Sequence, residues 1–82
     1  MSQKSIQLLK DLTQADAVSG HELEVKSIFR SRLEKVGEID QDRLGSTFCA
    51  KVGRSETPRV LLDSHMDEIG FIVQRITSSG FV

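Results

Sequence analysis

The sequence predicts an α/β fold in which two helices are followed by a β-hairpin and a central strand. Three observations support this prediction. Apolar residues recur at helical spacing before Gly37, the spacing changes to alternation after it, and a continuous apolar run from Val60 to Leu62 leads into a polar cluster. A run of that kind is typical of a buried strand, and ligands of α/β proteins gather just beyond the carboxyl ends of such strands.

The first helix is predicted near residues 4–14, with Ser2 as the candidate N-cap. Its apolar positions have the spacing of one helix face and are Ile6, Leu8, Leu9 and Leu12. The second helix is predicted from a capping box. In this motif the Ser19 side chain accepts a hydrogen bond from the Glu22 N–H, and the Glu22 side chain reaches back to the Ser19 N–H. Gly37 would end this helix. Its predicted apolar face consists of Val25, Ile28, Phe29, Leu33 and Val36.

The change of period predicts a hairpin with one buried side. Residues 38–42 would form an exposed strand, residues 44–46 the turn and residues 47–52 the second strand. Phe48, Ala50 and Val52 would share the buried face, and Cys49 would lie on the opposite face as a small filler.

The remaining chain predicts further strands at Val60–Leu62 and at residues 69–76, then a turn and the start of a third strand at Phe81. That last strand has no partner residues, and an exposed apolar edge is normally covered. The expectation is that the sequence stops inside a larger protein.

Composition excludes several classes of function. Lys and Arg are scattered and the net charge is -1, so no nucleic-acid partner is expected. No apolar run reaches the length of a membrane span, and the first residues lack the apolar stretch of a signal peptide. The single cysteine, Cys49, excludes an internal disulfide. A cytoplasmic location is predicted.

The polar cluster after Leu62 supplies the candidate site. In an extended backbone, His65 and Asp67 would share a face and Glu68 would turn away. A histidine can bind a metal through one ring nitrogen while a carboxylate holds the other. The alternative, more frequent for so short a pattern, is an ordinary polar pair at the end of a strand. His21, at the start of the second helix, is expected to be solvated.

These residues resemble the first metal-ligand motif of a known family, the tetrahedral aminopeptidases. This family comprises the glutamyl and deblocking aminopeptidases of metallopeptidase clan MH, some formerly labelled cellulases or endoglucanases. The similar segment is the run from Val60 to Leu62 followed by His65-Met66-Asp67-Glu68-Ile69-Gly70-Phe71. The helix start at residues 19–22, the turn at residues 42–45 and the loop with Pro58 are similar as well. Two departures are Ser46, where the family usually has Asn, and Asp63, which is outside the motif.

The resemblance implies a cytoplasmic exopeptidase that binds two zinc or cobalt ions and hydrolyses peptides with a metal-bridging water. His65 would be a ligand of one metal, and Asp67 would orient it. The other ligands and the general base would lie beyond Val82. Residues 1–68 would be the N-terminal part of a mixed-sheet catalytic domain, and residues 69–82 the start of an inserted β-rich oligomerisation domain. Full-length members form tetrahedral dodecamers.

One histidine and one orienting aspartate cannot supply the three or four ligands that zinc usually has in proteins. The chain alone is therefore expected to be inactive, with an incomplete metal site. Two alternatives stay open at this point. One is a small non-enzymatic α+β binding module, and the other is a relative in the same clan that hydrolyses other amide bonds.

Overall fold

The first helix, α1, spans Gln3–Gln14 in the computed structural model, which describes residues 2–82. Ser2 is its N-cap, as predicted, and the Ser2 hydroxyl accepts a hydrogen bond from the Ser5 N–H at 3.2 Å. The helix ends where the Ala15 N–H donates to the Asp11 carbonyl at 3.1 Å. The predicted bounds are thus confirmed to within one residue.

The second helix, α2, spans Leu23–Leu33, and its predicted capping box is wrong. Glu22 is the N-cap, and its carboxylate accepts from the Gly20 N–H at 2.7 Å instead of from Ser19. A tight turn separates Ser19 from the helix, because the His21 N–H donates to the Val18 carbonyl and Gly20 has φ +85°. Only glycine adopts that backbone conformation without strain.

The end of α2 lies four residues before the predicted stop. The helix ends at Leu33, and a turn follows in which the N–H groups of Val36 and Gly37 both donate to the Leu33 carbonyl. Gly37 therefore closes this turn and does not directly follow the last helical residue.

A small apolar core joins the helices and their connector. Ala15, Ala17 and Val25 are buried, and Ile28 and Met66 pack against them. The rest of the predicted apolar face of α2 is half-buried or, at Val36, exposed.

The predicted hairpin is present, but the wrong face was assigned to its interior. Strand β1, Glu38–Gln41, pairs antiparallel with β2, Thr47–Ala50. Cys49 lies opposite Ile39 and its thiol donates to the Leu33 carbonyl at 3.8 Å, so this face packs toward α2. Phe48, predicted to be buried, is 44% exposed, and Ala50 and Val52 are exposed as well. Both faces of β2 carry uncharged side chains, so the position of α2 decides which one is covered.

The predicted strands after the hairpin are not formed. Val60, Leu61 and Leu62 are almost fully exposed, and the predicted strands at residues 69–76 and at Phe81 are also absent from the described chain. The segment has a single parallel β-bridge, between Val18 and Glu68. A strand is stable only when neighbouring strands pair with its backbone groups, and residues 2–82 bring no such partners to this run.

The described residues therefore form two helices and a two-stranded antiparallel sheet, compatible with a segment of an α/β fold. The predicted central strand of a mixed sheet is not among them. The radius of gyration is 17.2 Å, whereas a compact chain of this length has about 12 Å. No helix in residues 2–82 is long and apolar enough to cross a membrane.

Candidate metal-binding site

His65 and Asp67 form a contacting pair, as the alternation of side chains predicts. The Nδ1 atom of His65 lies 3.1 Å from the Asp67 carboxylate oxygen Oδ1 and 3.1 Å from the Asp67 carbonyl oxygen. The side chains are 85% and 46% exposed. Both acceptors face Nδ1, which favours the tautomer with the proton on Nδ1 and leaves Nε2 as the free ligand atom.

Two neighbours of the pair contact the earlier part of the chain. Met66 packs against the core of the helices, and Glu68 turns toward Ala17. The expectation that Glu68 turns away from His65 is confirmed. The residues next to the pair thus contact the helical core and its connector.

An open groove of about 440 Å³ lies beside the pair. Its walls are the turn before α2, the hairpin turn and the segment that contains His65 and Asp67. Its lining consists of Ser19, Glu22, residues 44–47 and residues 63–67. Asp63, for which the resemblance gives no role, thus lies in the groove with His65. A larger concavity of about 810 Å³, between Phe71 and Val82, is lined by no His, Cys, Asp or Glu side chain.

The pair fits part of a metal centre. His65 offers one imidazole nitrogen, which is a common zinc ligand, and Asp67 holds the other nitrogen. Within residues 2–82, no three His, Cys, Asp or Glu side chains are grouped so that they could hold a metal ion. His21 is exposed in the turn before α2 and is absent from the lining of the groove. The donor set on this part of the chain is therefore incomplete.

Sequence reasoning missed one contact that bears on the site. The Glu68 N–H donates to the Ala17 carbonyl at 2.7 Å, and the Ala17 N–H donates to the Glu68 carboxylate at 3.1 Å. The alternation of side chains shows only that Glu68 faces away from His65. Its partner lies 51 residues earlier, and no local pattern indicates that pairing.

Comparison with known proteins gives two family matches. Residues 45–82, which include the His65–Asp67 pair, match the M42 glutamyl aminopeptidase family. Residues 3–29, which include α1, match a second family, described as AMPT.

Three curated relatives align with almost the whole chain. FrvX of Escherichia coli (strain K12) is 48% identical over 79 residues, which is 95% of this chain and 22% of FrvX. The glutamyl aminopeptidase of Lactococcus lactis is 36% identical over 88% of this chain and 21% of the relative. The lysyl aminopeptidase of Pyrococcus furiosus is 31% identical over 93% of this chain and 22% of the relative.

The chain thus spans about a fifth of the length of the curated relatives that it matches. No solved structure matches it.

Proposed function

Because the chain belongs to the M42 glutamyl aminopeptidase family, we propose that it is the N-terminal part of a metal-dependent aminopeptidase that releases N-terminal residues from peptides. The Lactococcus relative is named for glutamyl substrates and the Pyrococcus relative for lysyl substrates. The two names share the reaction and differ in the residue removed, so the proposal covers the reaction and leaves the preferred residue open.

The observation that carries this proposal is the contact between His65 and Asp67 inside the family-matched segment. The two side chains meet at 3.1 Å, and the ring nitrogen that Asp67 leaves free is accessible because the histidine is mostly exposed. A carboxylate in this position fixes the orientation of the imidazole and increases its basicity as a ligand. An ordinary surface pair would have the same distance, and the family match favours the metal role.

In the proposed enzyme, His65 holds one of two divalent ions, zinc or cobalt, through Nε2. Asp67 keeps the Nδ1 proton and the ring plane fixed. Ions held there would supply Lewis-acid chemistry, namely polarisation of the scissile carbonyl and a lower pKa of a bound water. The general base and the other ligands belong to parts of the enzyme outside this chain.

The proposal includes inactivity of the isolated chain. A catalytic metal centre needs about three protein ligands for each zinc, and the described residues group fewer than that. Release of an amino acid by the purified chain, with zinc or cobalt added, would contradict this part of the proposal.

Two further parts concern architecture. Residues 1–68 belong to a catalytic domain, and residues 69–82 lead into an inserted β-rich oligomerisation domain of a cytoplasmic dodecamer. The exposed apolar side chains of Ile69, Phe71, Ile72 and Val73 support this extension, because such side chains are normally covered by further protein. Light scattering of the complete protein tests the dodecamer.

The function is tested on the complete protein that continues this chain, with peptide hydrolysis as the assay. Activity should disappear with a chelator and return with zinc or cobalt. His65→Ala should reduce activity by more than the roughly 10–100-fold that loss of an orienting partner costs. Asp67→Asn should fall within that range.

His21→Ala is the matched control, because His21 is the other histidine of the chain and lies outside the groove. It should retain full activity. Equal activity of the His65→Ala and unchanged proteins, or hydrolysis that persists in the chelator, would refute the proposal.

A further inference from the structure

The segment at residues 66–70 is fastened by alternate residues to the connector between α1 and α2 and to the small core beside it. Met66 packs against the core, Glu68 hydrogen-bonds with Ala17, and Gly70 lies against the side chain of Val18. Within residues 2–82, two hydrogen bonds join the chain after the hairpin to the chain before it, and Glu68 takes part in both.

This attachment sets the position of His65 and Asp67. Side chains two apart in an extended backbone share a side. Fixing Met66, Glu68 and Gly70 against the connector between the helices therefore also fixes His65 and Asp67, which line the groove with the rest of residues 63–67 and the hairpin turn.

We propose that Glu68 is a positioning residue that holds the His65–Asp67 pair in its groove by bonding, through its backbone and its carboxylate, to Ala17. This inference deepens the proposed function, because it rests on the metal role of His65. Glu68 hydrogen-bonds to Ala17 and not to His65, so it would act through the placement of its neighbours.

The carboxylate has a specific task in this arrangement. Ala17 is only 3% exposed, so its N–H is shielded from water and needs an acceptor from the protein. The Glu68 carboxylate supplies that acceptor at 3.1 Å. A second contact beside the backbone bond fixes the register of the segment, since a slipped register would bring a different side chain to Ala17.

Three substitutions separate these contributions. Glu68→Ala removes the acceptor. Glu68→Asp keeps the charge but is shorter by one methylene group, so its oxygen does not reach the Ala17 N–H. Glu68→Gln loses the charge but keeps a carbonyl oxygen that can accept the bond. Glu56→Ala, which removes an exposed carboxylate from the loop before Val60, is the matched control.

The experiment measures position directly, by NMR of the 82-residue chain with a spin label in the groove. The label is attached through Ser46→Cys in a Cys49→Ser background, and broadening of the His65 ring resonances reports that the two sides of the groove are close. Hydrogen exchange of the Ala17 amide is followed in the unlabelled chain. The amide resonances of α1 and α2 show whether the helices are intact.

The broadening should persist in the unchanged, Glu68→Gln and Glu56→Ala chains and be lost in Glu68→Ala and Glu68→Asp. Exchange at Ala17 should become about tenfold faster in the last two, as expected for loss of one hydrogen bond. If Glu68→Ala unfolds the helices, the milder Glu68→Asp decides the matter.

Unchanged broadening in Glu68→Asp, or failure of Glu68→Gln to retain it, would overturn the inference. This readout involves no hydrolysis. A negative result here would leave the peptidase proposal standing, and an inactive complete enzyme would leave the positioning result standing.

Discussion

Asp42 is expected to hold the hairpin turn closed, and with it one wall of the groove. Its carboxylate oxygen Oδ1 accepts from the Leu44 N–H at 2.9 Å and from the Ser46 N–H at 2.9 Å. The backbone adds a hydrogen bond from the Gly45 N–H to the Asp42 carbonyl, and Gly45 has φ +93°. Asp42→Ala would leave the backbone bonds in place and remove both side-chain bonds.

The magnitude follows from the number and setting of these bonds. Both lie on the surface, where water competes, so each contributes about 0.5–1 kcal/mol, at the low end of the usual range. Together they stabilise the closed turn by about 1–2 kcal/mol, which corresponds to a roughly 5–30-fold change in its opening equilibrium. Asp42→Asn keeps an acceptor oxygen and should lose about half of this or less.

Amide hydrogen exchange of β1 and β2 measures the opening of the hairpin residue by residue. Asp42→Ala should accelerate exchange in both strands by the factor given above, with Asp42→Asn between it and the unchanged chain. Glu38→Ala, on the same hairpin and exposed, is the control and should change little. Exchange rates in Asp42→Ala equal to those of the unchanged chain would refute the reasoning.

Two further predictions concern the N-cap of α1 and the packing of Gly70 against Val18. Ser2→Ala removes the hydroxyl that accepts from the Ser5 N–H, so it should lower the stability of α1 by about 0.5–2 kcal/mol. Circular dichroism should show this loss as lower helicity, and Ser2→Asp should preserve the helicity. Gly70→Ala would place a methyl group into the side chain of Val18, so it should break the bridge to Glu68 and accelerate exchange at the Glu68 amide. Gly53→Ala, at an open position, is its control, and equal exchange in both variants would contradict the packing argument.

The helices could be predicted because their signals are local. The apolar spacing and the Ser2 cap lie within a few residues of each other, and α1 has the expected bounds. The start of α2 was missed because Ser19 and Glu22 have the spacing of a capping box, while Gly20 makes a turn between them. A spacing pattern cannot distinguish these two geometries.

The sheet was harder to predict because strands depend on distant partners. The inner face of β2 is set by the contact between Cys49 and Leu33, which the alternation of uncharged residues does not reveal. The apolar run at Val60–Leu62 has the composition of a buried strand, but residues 2–82 offer it no neighbour to pair with.

For the candidate site, the sequence predicted the local part and missed the distant part. His65 and Asp67 are two residues apart, so an extended backbone suffices to bring them to one side, and they meet at 3.1 Å. The bond from Ala17 to Glu68 spans 51 residues and depends on how the chain returns to the helices. The metal role of His65 stays a prediction.

The most direct test of that role is a calorimetric zinc titration of the metal-free complete protein with three sequences, namely unchanged, His65→Ala and His21→Ala. The account predicts that the unchanged and His21→Ala proteins bind zinc with the same stoichiometry and affinity. His65→Ala should lose one ion per chain or bind it more than about 100-fold more weakly, beyond the effect of losing an orienting partner. Identical titrations of all three proteins would contradict the assignment of His65 as a metal ligand.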